Sequence, residues 1–257
     1  MVAATAPTLV ESYAACEALA RSHYENFPVA SRLLPAALRP HVAAVYAFAR
    51  IADDIADEPG RQPDERLRLL DQWQTLLHSG TPALAHPGTS ALEHPGTPAP
   101  EHSGTPAPRH SGTAVLPALH DTIARFDLPL SLFDDLLSAF RQDVTTTRYE
   151  TWAEVLDYCR RSANPVGRIV LRLARQHDAA RDAWSDDVCT ALQLANFWQD
   201  LGVDWPRGRL YVPEEEWRAH GADPADLDRG VITDAWRRTL AASAGRTRAL
   251  FARGRPV

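Results

Sequence analysis

Apolar residues recur at three- and four-residue intervals over nearly the whole chain, and this periodicity limits the fold more than any other feature. Nine stretches carry it: 9–24, 38–57, 64–77, 114–126, 130–144, 152–162, 166–177, 183–204 and 232–253. No pair of alternating strands stands beside them, so the pattern predicts an all-α bundle. Pro28, Pro35, Pro40, Pro129, Pro165, Pro206 and Pro213 fall at or near the predicted boundaries, where a missing N–H costs least. The run Asn164-Pro165-Val166-Gly167 marks a break between two helices.

One segment departs from this pattern. From His78 to Thr113 an eight-residue unit recurs, beginning His-Ser-Gly-Thr-Pro-Ala-Leu-Ala, and places His78, His86, His94, His102 and His110 at even spacing. Its period is far shorter than that of a helical solenoid. Rich in proline and glycine and poor in aromatics, it cannot bury enough apolar surface to offset its ordering entropy. A disordered insert at about 79–112 is expected inside one domain covering 1–257. A tandem duplication in a loop costs little stability, and evenly strung imidazoles without supporting partners make weak metal sites.

Composition narrows the chemistry. The chain has 257 residues, 45% of them hydrophobic, which suffices for a sizeable core. Its net charge of −6 arises from 33 acidic and 27 basic residues, without a basic block that would track nucleic acid. All 27 basic residues are arginine, which excludes a lysine Schiff base and a phosphate-loop lysine while leaving the fork best matched to phosphate oxygens. Cys16, Cys159 and Cys189 are too scattered for a disulfide scaffold or a zinc knuckle, so reduced thiols in a cytoplasmic protein are expected. No leader pattern and no apolar run of ~18 residues appears; a soluble protein is expected, with peripheral membrane contact left open.

Two helical stretches carry acidic residues in a pattern suited to chemistry. In Tyr46-Ala-Phe-Ala-Arg50-Ile-Ala-Asp53-Asp54-Ile-Ala-Asp57, a helix turning ~100° per residue puts Arg50, Asp53 and Asp57 within ~60° of one another, with Tyr46 between them. Asp54 is expected to point elsewhere. Acidic residues near a helix C-terminus oppose the macrodipole, so a purely decorative role is uncomfortable. In Gln193-Leu-Ala-Asn196-Phe-Trp-Gln-Asp200-Leu-Gly-Val-Asp204, a continuous helix puts Gln193, Asn196, Asp200 and Asp204 within ~80° of one another. Oxygen groups at helical spacing on two helices suit magnesium, which takes carboxylates together with substrate phosphate oxygens. Arg32 lies before the first helix, and Arg207 and Arg209 follow the second, where they suit a diphosphate whose charge grows as a C–O bond breaks.

These residues resemble the two signatures of the squalene/phytoene synthase family: Asp53-Asp-Ile-Ala-Asp57 preceded by Tyr46-Ala-Phe-Ala-Arg50, and Asn196-Phe-Trp-Gln-Asp200-Leu-Gly-Val-Asp204 followed by Gly208-Arg209-Leu-Tyr211-Val-Pro213. The similarity runs from about Ala20 to Arg248. It implies an isoprenoid-synthase helical bundle around a cavity, with catalytic roles for Asp53, Asp57, Asp200, Asp204 and Tyr46. It also implies magnesium contacts from Asp53, Asp57, Asn196, Asp200 and Asp204, and substrate or diphosphate contacts from Ser31, Arg32, Tyr46, Arg50, Gln193, Asn196 and Arg209. Glu25-Asn-Phe-Pro-Val-Ala-Ser-Arg32, Ser162-Ala-Asn-Pro-Val-Gly167 and Phe197-Trp-Gln-Asp200 look most like the hydroxysqualene synthase branch of hopanoid biosynthesis. Val203 agrees, since many phytoene and squalene synthases have glutamate there. Two departures are the repeat insert and an end at Arg253-Gly-Arg-Pro-Val257, where relatives are expected to continue with another helix.

The resemblance implies magnesium-assisted ionisation of presqualene diphosphate, with water capturing the cation; an isoprenoid diphosphate is the expected partner and nucleic acid is not, while contact with a membrane surface and with pathway enzymes is left open. Head-to-head condensation of two prenyl diphosphates is the nearest alternative. A terpene cyclase shares the Asn196, Asp200, Asp204 spacing, but the Tyr46–Arg50 and Gly208–Pro213 neighbours argue against it. A non-catalytic helical subunit of the same fold is the alternative from another class.

Overall fold

The structure, a computed structural model, describes residues 7–22, 34–58, 60–80 and 112–255. The repeat lies almost wholly outside these residues, as do Ser31 and Arg32. Twelve α-helices occur among the described residues: α1 Leu9–Ser22, α2 Arg39–Asp57, α3 Pro63–Ser79, α4 Leu116–Phe126, α5 Leu130–Thr145, α6 Trp152–Ser162, α7 Asn164–Leu173, α8 Ala179–Gln199, α9 Leu201–Asp204, α10 Glu214–Ala219, α11 Pro224–Asp228 and α12 Asp234–Gly254. No strand forms among them; one isolated bridge joins Arg148 and Leu210.

Three boundaries differ from the sequence reading, each for a local reason. The segment predicted as 166–177 ends at Leu173, because Arg175 turns left-handed (φ 55°) and the Gln176 N–H reaches back to the Leu171 carbonyl. The next helix begins at Ala179 rather than residue 183, since the Asp178 side chain caps it by accepting from the Arg181 N–H. The stretch predicted as one helix to Asp204 is interrupted at Asp200 (φ −90°, ψ 5°), with Gly202 and Pro206 close behind. Helices α10 and α11 were not foreseen; at six and five residues they are too short for a periodicity to declare itself.

Helix α2 forms the centre of the bundle, touching α1, α3, α4, α5 and α7. Ala43, Ala44, Ala47, Ala52 and Ala56 are buried along it, small enough for neighbouring helices to close in. Phe48 is fully buried, stacked on Trp73 and edge-on to Phe133, both 5.5 Å away. Burying each such ring contributes about 1.5–3 kcal/mol. A buried polar knot ties α1, α2 and α4 together: the Tyr13 hydroxyl donates to Asp121 at 2.6 Å, and the His41 imidazole lies 2.9 Å from both that hydroxyl and Thr122.

The Asn164-Pro165-Val166-Gly167 motif positions α8. Asn164 accepts a hydrogen bond from Thr190 on α8 at 2.9 Å, and Pro165 opens α7 where its missing N–H is harmless. A methyl group at Gly167 would sit 2.2 Å from Ser185 Oγ and 2.5 Å from Cys189 Sγ, so glycine permits this close approach of α7 and α8. Cys16 and Cys159 are buried and Cys189 half-buried, and none forms a disulfide. Among the described residues, no helix is long and apolar enough to cross a membrane.

Candidate active site

The acidic end of α2 meets the residues that follow α8. Its last turns hold Asp53, Asp54 and Asp57, an arrangement the helix dipole disfavours and two arginines offset. Arg50 lies 2.8 Å from Asp54 and 3.5 Å from Asp53. Asp54 therefore does not point away from the face, as the sequence reading held: one turn beyond Arg50, it takes the shorter of the two ion pairs. Arg209 reaches across from the far side of the sequence to Asp57 at 2.7 Å, and its backbone N–H donates to the Asp204 carbonyl at 3.0 Å.

The segment carrying Arg209 is anchored on the residues after α5. Leu210 N–H donates to Thr147 and Glu214 N–H to Tyr149, at 3.0 and 2.9 Å. Arg148 adds a hydrogen bond to the Gly208 carbonyl and lies over the Trp205 ring at 4.6 Å. The Gly208-Arg-Leu-Tyr-Val-Pro213 motif thus aims one guanidinium at the α2 carboxylates and packs Leu210, Tyr211 and Val212 inward, all buried.

Asp200 and Asp204 complete the acidic region. The Asp204 carboxyl lies above its ordinary pKa through burial, with Asp200 and Asp57 raising it further and Arg209 and Arg207 opposing. Charges from both acidic stretches therefore act on one group. The helix is interrupted at Asp200, so Gln193 and Asn196 lie on α8 and Asp204 on the short α9, with the Asp204 N–H donating to the Asp200 carbonyl at 2.8 Å. Asn196 and Asp200 are exposed and Gln193 half-buried. Tyr46 is partly buried against the α2 core. Among the described residues, no three His, Cys, Asp or Glu side chains stand close enough to hold a metal ion by themselves.

The sequence reading missed Asp143 and Tyr158. The Tyr158 hydroxyl donates to Asp143 Oδ2 at 2.8 Å, while Asp143 Oδ1 is buried without a hydrogen-bond partner. Burial pushes the Asp143 carboxyl up to about 7; Tyr158 and Arg209 oppose that shift, and Asp57 and Asp53 add to it. Burial against the Arg209 guanidinium is outweighed by Asp57, which keeps its pKa above the ordinary value. Behind Asp143 stands an aromatic wall: Phe197 and Tyr211 stack at 3.8 Å and 2°, with Tyr149 and Tyr158 packed against Tyr211 at 5.7 and 6.1 Å. Burial raises the pKa of all three tyrosines. The available signal was slight: Asp143 is one of three aspartates in the amphipathic stretch 130–144, with Arg148-Tyr149 following it.

Two acidic helix ends joined by an arginine, with a stacked aromatic wall behind, make up the candidate site of this helical bundle. Residues 20–257 match the squalene/phytoene synthase family. The chain is 36% identical to a hydroxysqualene synthase of Zymomonas mobilis over 89% of its own length and 68% of that protein's. It is 37% identical to one of Sinorhizobium fredii over 79% and 60%. The crystal structure of squalene synthase HpnC from Alicyclobacillus acidocaldarius superposes with a TM-score of 0.79 at 37% identity, over 96% of this chain and 82% of that one. The chain belongs to the squalene/phytoene synthase family, whose members process isoprenoid diphosphates, and its likeness is to the hydroxysqualene synthase branch. It spans 60% to 68% of the length of these two curated relatives.

Proposed function

We propose that this chain carries out the hydroxysqualene synthase reaction: ionisation of presqualene diphosphate, then capture of the rearranged cation by water, in hopanoid and squalene biosynthesis at the cytoplasmic side of a membrane. The observation that carries the reading is the 2.7 Å Arg209–Asp57 pair, which ties the two motif segments together. The C–O bond breaks with its electron pair leaving on the diphosphate; water adds to the carbon cation and gives up a proton.

The donors on both acidic stretches are hard oxygen atoms, the type magnesium selects alongside phosphate oxygens and water. Asp53, Asp57, Asn196, Asp200 and Asp204 would hold magnesium, which supplies neutralisation of the leaving diphosphate. Arg50 and Arg209 add fixed positive charge on that side. Ser31, Arg32 and Gln193 are assigned to the diphosphate and substrate by their motif positions, and Tyr46 to the catalytic face beside Arg50. The Asp143–Tyr158 pair stands next to this region as a proton store. The aromatic wall of Phe197, Tyr149, Tyr158 and Tyr211 keeps water away from one side.

With presqualene diphosphate, magnesium and no nicotinamide, the protein should release diphosphate and form hydroxysqualene, while farnesyl diphosphate alone should give little product. Efficient conversion of farnesyl diphosphate to presqualene diphosphate or a triterpene hydrocarbon would replace this reading with head-to-head condensation. Consumption of neither substrate would favour a non-catalytic subunit.

A further inference from the structure

Arg209 spans the two acidic segments, yet the residue before it is a glycine in open space. Gly208 has φ 81° and ψ 7°, a left-handed conformation, and a Cβ added there would meet nothing within 4 Å. Glycine takes φ of either sign at little cost, so packing around Gly208 does not choose how the planar peptide between Gly208 and Arg209 faces. Hydrogen bonds hold that plane at both edges instead. The Arg209 N–H donates to the Asp204 carbonyl at 3.0 Å, and the Gly208 carbonyl accepts from the Arg148 guanidinium. Turning the plane over puts the Gly208 carbonyl where the N–H stood, against the Asp204 carbonyl. Two carbonyl oxygens repel, so the turn then has to leave α9 and take Arg209 with it.

Arg148 is itself fixed from several directions. Its guanidinium lies over the Trp205 ring at 4.6 Å and donates to the Thr147 carbonyl at 3.2 Å, while the indole N–H of Trp205 donates to Asp228 at the end of α11, at 3.1 Å. Downstream the backbone takes over: the N–H groups of Leu210, Glu214 and Glu215 donate to the carbonyls of Thr147, Tyr149 and Glu150 at 3.0, 2.9 and 3.0 Å. Arg148 thus acts at the one peptide that this pairing with the α5–α6 connection does not reach. Among the described residues it pairs with none of Asp53, Asp57, Asp200 and Asp204, so its guanidinium serves the turn and not the carboxylates.

We propose that Arg148 is a positioning residue for Arg209: it locks the Gly208–Arg209 peptide in the orientation that sends the Arg209 guanidinium to Asp57 and, with it, to the leaving diphosphate. The part played toward diphosphate rests on the assignment of Arg209 given above; the hold on the Arg209–Asp57 pair does not. Arginine suits the position because its planar fork reaches two carbonyls while its face stays on the indole. Lysine keeps a cationic donor over the ring, and methionine keeps only the stem.

A double-mutant cycle on the full chain tests it, read as diphosphate release from presqualene diphosphate, with circular dichroism to show which variants fold. Arg148→Met should lower release roughly tenfold, within what a displacement of about 1 Å at a reacting site costs, and Arg148→Lys should lose less than about threefold. Added to Arg209→Gln, Arg148→Met should cost less than about twofold more, because its effect runs through a guanidinium already removed. A merely structural role gives losses that multiply. Full multiplication, or a lysine variant no better than the methionine one, overturns the proposal. If Arg148→Met does not fold, Gly208→Ala takes its place, since its methyl has open space and disturbs the turn only through φ; the same failure to multiply with Arg209→Gln is expected. The cycle read as Tm needs no substrate. Arg209→Gln should lower the wild-type Tm, and by less than about half as much beside Arg148→Met; equal drops overturn the proposal. A wild type that releases no diphosphate while the Tm cycle holds removes the reaction assigned to the site and leaves the positioning of Arg209 standing.

Discussion

The two acidic segments have similar spacing in sequence and are built differently in space. On α2 the helix runs unbroken through Asp57, and its carboxylates are held by arginine: Asp53 and Asp54 by Arg50, Asp57 by Arg209. Past α8 the helix is interrupted at Asp200, and neither Asp200 nor Asp204 forms an ion pair among the described residues. On one side each carboxylate has an arginine partner, while on the other burial and neighbouring carboxylates lift the pKa of Asp204. Uncompensated negative charge has a use where a cation arrives with the substrate, because the cation then removes the repulsion.

The largest expected effect comes from removing a charge on either side. Asp53→Asn and Asp200→Asn should each lower diphosphate release by about 100-fold or more, with the fold retained by circular dichroism. Asp54→Asn should lose less than about tenfold, since Arg50 keeps Asp53 within 3.5 Å. Equal losses in all three would mean that Asp54 contributes as much to release as the two carboxylates assigned to the metal.

Arg209→Gln sharpens the comparison, because it removes the one guanidinium that spans the two segments. Release should fall roughly tenfold or more, and the apo protein should also lose stability as Asp57 is left facing Asp53, Asp143 and Asp204. If the variant unfolds at the wild-type temperature, Asp57 does not depend on Arg209 for its compensation.

A smaller effect concerns pH. Burial raises Asp143 from 3.8 to about 7, so over that interval the folded protein keeps a proton the unfolded chain has given up. Stability contributed by this group is full below about pH 4 and declines as pH rises to about 7. Asp143→Asn should therefore flatten the dependence of Tm on pH across that window in metal-free buffer. An unchanged slope would mean that some other group carries it.

Much of this arrangement was legible in the chain. Helical periodicity gave the long helices because each buries one broad face, and the two motifs stood out because aspartates at three- and four-residue intervals are costly in apolar helices. The interruption at Asp200 was not legible, since a single residue leaving helical φ/ψ hardly disturbs the pattern around it. Asp54 was misread because Asp53 and Asp54 both fall within reach of Arg50's long side chain, and phase alone does not choose between them. Asp143 and Tyr158 are separated by two helix ends and acquire meaning only when α5 and α6 pack. The Arg209–Asp57 pair spans 152 residues, a separation that spacing arguments do not bridge. The assignments of Ser31 and Arg32 rest on their sequence motif.

The most direct measurement of the central claim is a single reaction run in oxygen-18 water. Given presqualene diphosphate and magnesium without nicotinamide, the wild-type protein should form hydroxysqualene with the heavy isotope in its hydroxyl group, and Asp200→Asn should form almost none. An alcohol without the label, or labelled product undiminished in Asp200→Asn, would contradict an ionisation carried out between these two acidic segments and ended by water.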